Sequence, residues 1–187
     1  MVSPENVFIR NENMKASDTS YWYALRVTYS REMMVKKHCD ANNIINFIPL
    51  EYRMCERDGV IIKKLQPVIR NLIFVKTSMS CINELKRKYP IRYIMNRGTG
   101  DPVIVPEKQM LDFIAVAGNY DQQVVFLAPC ELRAKTGSRV RIRDGIFKGV
   151  EGVLVRVRNN KRVVVQIEGL VMVATHYIHP SLLEYLE

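Results

Sequence analysis

The chain has 187 residues and carries 28 Lys and Arg against 19 Asp and Glu, a formal net charge of +9. Its 48% hydrophobic and 25% charged content supplies a core and excludes a disordered chain, a collagen-like chain or a coiled-coil rod. The length suits one or two domains, and the excess positive charge suits a polyanionic partner such as nucleic acid.

Residues 1–20 are polar, with acids at Glu5, Glu12 and Asp18 and no apolar h-region. They read as a flexible extension and not as an export signal. No run approaches the roughly 18 apolar residues of a membrane helix. Cys39, Cys55, Cys81 and Cys130 lack Cys-x-x-Cys spacing, which suits reduced thiols in a cytoplasmic, non-membrane protein.

Tyr21–Tyr29 is aromatic and β-branched, the signature of a strand. Ser30 stands where a helix cap belongs, ahead of a helix over Arg31–Asn42 whose core face is Met34, Val35, His38 and Ala41. Ile44–Arg57 returns to strand character. Asp58-Gly59 turns the chain into a return arm, Val60–Leu65, because glycine takes positive φ at little cost. Val68–Thr77 reads as a long central strand. Ser80–Tyr89 is a helix with Ile82, Leu85 and Tyr89 on one face, stopped by Pro90. Tyr93–Asn96 and Val103–Val105 are short strands. A last helix opens at Pro106, with Met110, Phe113, Ile114 and Ala117 inward. The order β-α-β-β-α-β-α predicts an α+β sandwich, an antiparallel sheet with helices on one face, over residues 21–118.

Residues 119–135 lack periodicity and read as a linker, apart from a short strand at Val124–Leu127. Residues 136–187 differ in grammar. Arg139–Arg143 and Gly152–Val157 alternate strictly, Asp144-Gly145 and Asn159-Asn160 turn, and Arg162–Ile167 and Val171–Thr175 follow. Short strands at this regular spacing over about 50 residues predict a small SH3-like β-barrel, with Ser181–Leu186 as a terminal helical turn.

Gly137 to Gly152, a glycine, an alternating strand, a turn and then Phe147-Lys148-Gly149-Val150-Glu151-Gly152, resembles a KOW motif. Trp22–Val27 (WYALRV), the helix behind it, Phe47-Ile48-Pro49 and Arg70-Asn71-Leu72-Ile73-Phe74-Val75 resemble the N-terminal (NGN) domain of NusG-type transcription factors. The extension and the divergent strand, where Arg70, Asn71 and Leu72 replace the family's Pro-Gly-Tyr, look most like the UpxY-type antiterminators of capsular polysaccharide operons.

The resemblance implies a monomeric transcription elongation and antitermination factor that suppresses pausing or termination. An apolar patch of Trp22, Tyr23, Ile69, Leu72 and Phe74 would dock on the clamp helices of bacterial RNA polymerase. Ile146, Phe147 and Lys148 would engage a second partner, a ribosomal protein or Rho. The residues themselves leave open whether the apolar set is patch or core. Arg31, Lys36 and Lys37, the hairpin bases Arg53, Arg57, Lys63 and Lys64, and the outward row Arg139, Arg141 and Arg143 are candidates for DNA or nascent RNA; solvated surface is the alternative for each. A KOW-type RNA-binding protein acting at the ribosome is the competing function.

Enzyme signals are poor. His38 and Cys39 are neighbours and point apart on a helix. His176 and His179 lack a completing ligand set. The chain contains no P-loop, dinucleotide fingerprint or Gly-x-Ser-x-Gly. A non-enzyme without metal or cofactor is expected.

Overall fold

The computed structural model describes residues 19–120, 124–127, 137–157 and 159–186. The expected N-terminal extension and most of the expected linker lie outside the described residues. The elements run β1 (Tyr21–Val27), α1 (Glu32–Ala41), β2 (Ile45–Phe47), β3 (Leu50–Arg57), β4 (Val60–Pro67), β5 (Leu72–Thr77), α2 (Met79–Lys88), β6 (Ile91–Tyr93), β7 (Ile104–Val105), α3 (Glu107–Ala117), β8 (Val125–Leu127), β9 (Ser138–Ile142), β10 (Glu151–Val157), β11 (Asn160–Ile167), β12 (Val171–Ala174) and β13 (Leu183–Tyr185). All strand pairs are antiparallel, and the class is α+β as expected.

Two compact units emerge. One takes in the chain up to Ile48 together with Arg70–Pro106; the other takes in Pro49–Ile69 and the chain from Glu107 onward. The β3–β4 hairpin and α3 are therefore grouped with the second unit. Assigning both to residues 21–118 follows chain order, whereas the units follow packing.

The first unit is built on β1. Its sheet runs β2-β5-β1-β6, with β7 also on β1. β1 meets β5 along six residue pairs, from Tyr21 opposite Thr77 to Arg26 opposite Leu72. Trp22 and Ala24 point to one face of β1, and Tyr23, Leu25 and Val27 to the other. All five are buried, as are Leu72, Ile73, Phe74 and Val75 of β5. A strand covered on both faces reads as an uninterrupted apolar run, and both strands have that form.

The expected apolar docking patch is corrected by this burial. Trp22, Tyr23 and Leu72 keep 3% or less of their surface and Phe74 none, while Ile69 is half-buried just before β5. These four side chains belong to the core because β1 and β5 are the inner strands and both their faces are covered.

Local differences have identifiable causes. Ile44–Arg57 divides into β2 and β3 around Ile48-Pro49. β5 begins at Leu72 and not at Val68, because Asn71 takes φ 65° and turns the chain. α1 buries Glu32, Val35 and Cys39 and leaves Met34 and Ala41 exposed. Ser30 does not cap it; Ser30 sits at φ 51°, and Arg31 occupies the cap position without a side-chain bond. α2 is capped by Ser78, whose Oγ accepts the Cys81 N–H at 3.3 Å, and buries Ile82 and Leu85.

In the second unit the sheet runs β13-β9-β10-β11-β12-β8. It is an open ladder, and among the described residues β13 and β8 do not pair to close a barrel. The segment expected as a helical turn forms a short 3₁₀ turn at Pro180–Leu182 and then β13. α3 packs on β11 and β12, with Met110, Phe113, Val116 and Ala117 buried. Gly152 is required where β10 passes β11: an added Cβ would stand 2.5 Å from the Val164 carbonyl oxygen. β3 and β4 form a separate two-stranded ribbon. Their connection, Asp58-Gly59, has φ 53° and 76°, positive at both positions as a tight primed hairpin turn demands.

Burial of Leu72 is directly testable. Leu72→Ala is expected to cost about 2–5 kcal/mol in urea unfolding, the range for truncating a core leucine; a cost below about 1 kcal/mol would mean that this face of β5 is open to solvent.

Candidate nucleic-acid interface

The junction between β1 and α1 carries the most exposed aromatic side chain of the first unit. Tyr29 is 79% exposed. Tyr29 and Ser30 both lie in the left-handed region, at φ 63° and 51°, a conformation that costs non-glycine residues free energy and persists where the surroundings impose it. Asn71 imposes it: its Oδ1 accepts the Ser30 N–H at 2.9 Å and its backbone oxygen accepts the Val27 N–H at 2.9 Å. The Arg31 guanidinium stands 5.6 Å from the centre of the Tyr29 ring, within cation–π range. Behind it Glu32 is buried in the first turn of α1, where a carboxylate suits the helix dipole; its Oε2 has no partner among the described residues.

Of the three bases predicted here, Arg31 and Lys37 are exposed. Lys36 is tied down, its Nζ 3.2 Å from the Asp40 carboxylate and 3.3 Å from Asn46 Oδ1. Tyr29 escaped the sequence reading because it extends the apolar run of β1. Burial, reinforced by the nearby Cys81, pushes the neighbouring Cys39 thiol up to about 12, so Cys39 offers no nucleophile at neutral pH. Among the described residues no three His, Cys, Asp or Glu side chains gather so as to hold a metal ion.

The β3–β4 ribbon is the second basic surface. Its register sets Arg53 opposite Lys64, Cys55 opposite Ile62 and Arg57 opposite Val60. Opposed residues share a face, so Arg53, Arg57 and Lys64 stand together beside Val60 and Ile62. The other face carries Tyr52, Met54, Ile61 and Lys63. There the Lys63 ammonium lies 4.3 Å above the Tyr52 ring, and Tyr52 meets Tyr120 edge-on. The four predicted bases thus divide three to one. The exposed Met54, Val60, Ile61 and Ile62 suit a strand by propensity, which does not reveal that a strand pair stands outside a sheet.

The third basic surface, the outward row of β9, is compensated by acids. Alternation turns Val140 and Ile142 inward and Arg139, Arg141 and Arg143 outward, as predicted. Arg141 donates to Glu151 Oε1 through Nε at 3.0 Å and Nη2 at 2.8 Å, and through Nη1 to Glu184 at 3.4 Å. Arg139 stands 3.9 Å from Glu151 and Arg143 stands 3.7 Å from Glu184. Three arginines therefore alternate with two carboxylates across β13, β9 and β10, and the row is a weaker phosphate site than its sequence suggests.

Hydrogen bonds from Arg141 hold the Glu151 carboxyl below its usual range. Burial raises that of Asp112 on α3, against the pull of Lys108, whose Nζ bonds both of its oxygens and the Gly149 carbonyl. The expected partner loop is also revised. Phe147 is 1% exposed, its ring packed 5.4 Å from that of His176, while Ile146 and Lys148 on either side are exposed. Phe147 is an anchor of the second unit's core, because a loop residue between two outward neighbours points inward.

The lowered Glu151 carboxyl has a definite pH consequence. Its contribution is complete above the ordinary glutamate value of about 4.3 and is lost as pH falls through the lowered folded-state value. Glu151→Gln is expected to lower the neutral-pH Tm and to shrink the further loss on acidification. Equal acid sensitivity of wild type and variant, measured by circular dichroism melts, contradicts this.

No curated protein matches the sequence. A solved structure, described as domain interaction in Thermotoga maritima NusG, is similar at 22% identity and a TM-score of 0.45, covering 90% of this chain and 98% of that one. Among the described residues no helix is long and apolar enough to cross a membrane. The NusG family, described as transcription termination factor nusG, matches residues 20–114, half of the chain, and the protein belongs to that family.

Proposed function

We propose that this protein is a transcription elongation and antitermination factor that binds bacterial RNA polymerase, at its clamp helices, through the first unit and suppresses pausing or termination. The family match over residues 20–114 carries this reading, since that span contains every strand and helix of the first unit. The divergent Arg70-Asn71-Leu72 supports a specialised paralogue of the UpxY type: Asn71 here fixes a strained turn that presents Tyr29 and Arg31, a role an apolar residue lacks the side-chain acceptor to fill.

The nucleic acid of the elongation complex is assigned to two of the three basic surfaces. Tyr29 and Arg31, with Lys37 exposed on the helix that follows, combine an exposed ring with cations, the pairing that single strands use. The hairpin supplies Arg53, Arg57 and Lys64. The KOW-like second unit offers Ile146 and Lys148 to a second partner, a ribosomal protein or Rho. Its arginine row is engaged by Glu151 and Glu184, which favours polymerase as the primary partner over RNA at the ribosome.

Purified protein added to bacterial core polymerase is expected to bind and to shorten pauses in single-round transcription. Tyr29→Ala with Arg31→Gln is expected to keep polymerase binding and lose most of the pause effect. A chain that ignores polymerase and binds RNA with steep salt dependence would contradict the reading and support the ribosomal alternative.

A further inference from the structure

We infer that the β3–β4 ribbon is a duplex-DNA-binding element, which lays the face carrying Arg53, Arg57 and Lys64 against the phosphates of double-stranded DNA. This rests on the reading of the hairpin as one of the chain's nucleic-acid contacts and narrows it to one face and one form of nucleic acid.

Register supplies the first argument. Arg53 and Lys64 are directly opposite, and like charges so placed destabilise a strand pair. Glu51 accepts from Arg53 Nε at 2.7 Å and so offsets one cation. Arg57 has Asp58 at 3.6 Å, with 80% and 91% of the two side chains in solvent, where such a pair is weak. Glu56 stands on the other face, opposite Ile61. The cationic face thus gathers three bases against one strand-borne acid, an arrangement that an approaching anion relieves.

Dimensions supply the second. Arg53 and Arg57 are four residues apart, about 13 Å along an extended strand. The major groove is about 12 Å wide and admits a two-stranded ribbon. The ribbon belongs to neither large sheet, and Arg53–Lys64 is exposed except at Cys55, so its bases are accessible.

The distribution of aromatic residues selects duplex over single strand. Single strands stack their bases on exposed rings. The ribbon's one ring, Tyr52, lies on the opposite face, engaged by Lys63 and Tyr120. Val60 and Ile62, beside the cations, offer aliphatic contact only.

The test is fluorescence anisotropy of the full chain with a short labelled DNA duplex and with one of its strands, titrated across salt without polymerase. Arg53→Gln/Arg57→Gln/Lys64→Gln is expected to weaken duplex binding and to flatten the logarithmic salt slope by about 2–3, near 0.9 per lost phosphate contact. Lys63→Gln is expected to leave the slope unchanged. All four side chains are exposed, so an unchanged circular dichroism melt accompanies these results. An unaltered slope in the triple variant, or a loss of single-strand binding in that variant as large as its loss of duplex binding, would overturn the assignment. Polymerase binding is measured separately: its absence with hairpin-dependent duplex binding intact overturns the proposed function and leaves this inference standing.

Discussion

The antiparallel pairing of β1 with β5 is the constraint on which the first unit depends. The two strands are the inner pair of their sheet, joined over six residue pairs and buried on both faces. Their apolar side chains are therefore spent on the core. α1 and α2 each add a narrow apolar stripe, Val35 with Cys39 and Ile82 with Leu85, at the i, i+4 and i, i+3 spacings that put residues on one helix face. With the core closed, recognition falls to what the strands leave outside: the turn after β1 and the ribbon between β2 and β5.

Those two places share a physical character. Each is an irregular or isolated segment held by a few specific contacts, as functional loops on a rigid scaffold commonly are. At the first, Asn71 bonds the backbone on both sides of Tyr29, so an exposed ring is fixed in place at the expense of two left-handed residues. At the second, a primed turn locks the register, and the register decides that three cations share a face. The second unit shows the contrasting outcome. Its arginines share a face too, but Glu151 and Glu184 fill the gaps between them, and the lowered Glu151 carboxyl records that neutralisation.

Much of the fold was legible because periodicity and turn chemistry are local. The Pro90 stop of α2, the Asp58-Gly59 hairpin and the alternation of β9 all follow from a few neighbouring residues. What escaped depends on distant partners. The face of α1 is set by what it packs on, and Cys39 displaced the equally spaced Met34 and Ala41. The start of β5 is set by Asn71 reaching back to Ser30, a bond across 41 residues. The apolar residues of the sheet were legible as apolar, but their sequence does not say whether a second face is covered; the patch expected of Trp22, Tyr23, Leu72 and Phe74 failed on that point. Phe147 failed similarly, since its direction depends on the packing beneath its loop. The hairpin bases were legible as charge, and only the register divided them.

The most direct test of the account is hydrogen–deuterium exchange of the full chain, alone and on an assembled elongation complex. Closed inner strands and a solvent-exposed two-stranded ribbon predict that amides of β1 and β5 exchange slowly in both states, while those of Arg53–Lys64 exchange rapidly in the free chain and become protected in the complex. Rapid exchange of β1 and β5 in the free chain, with a ribbon indifferent to the complex, would contradict the account and return the apolar sheet face to the role of docking surface.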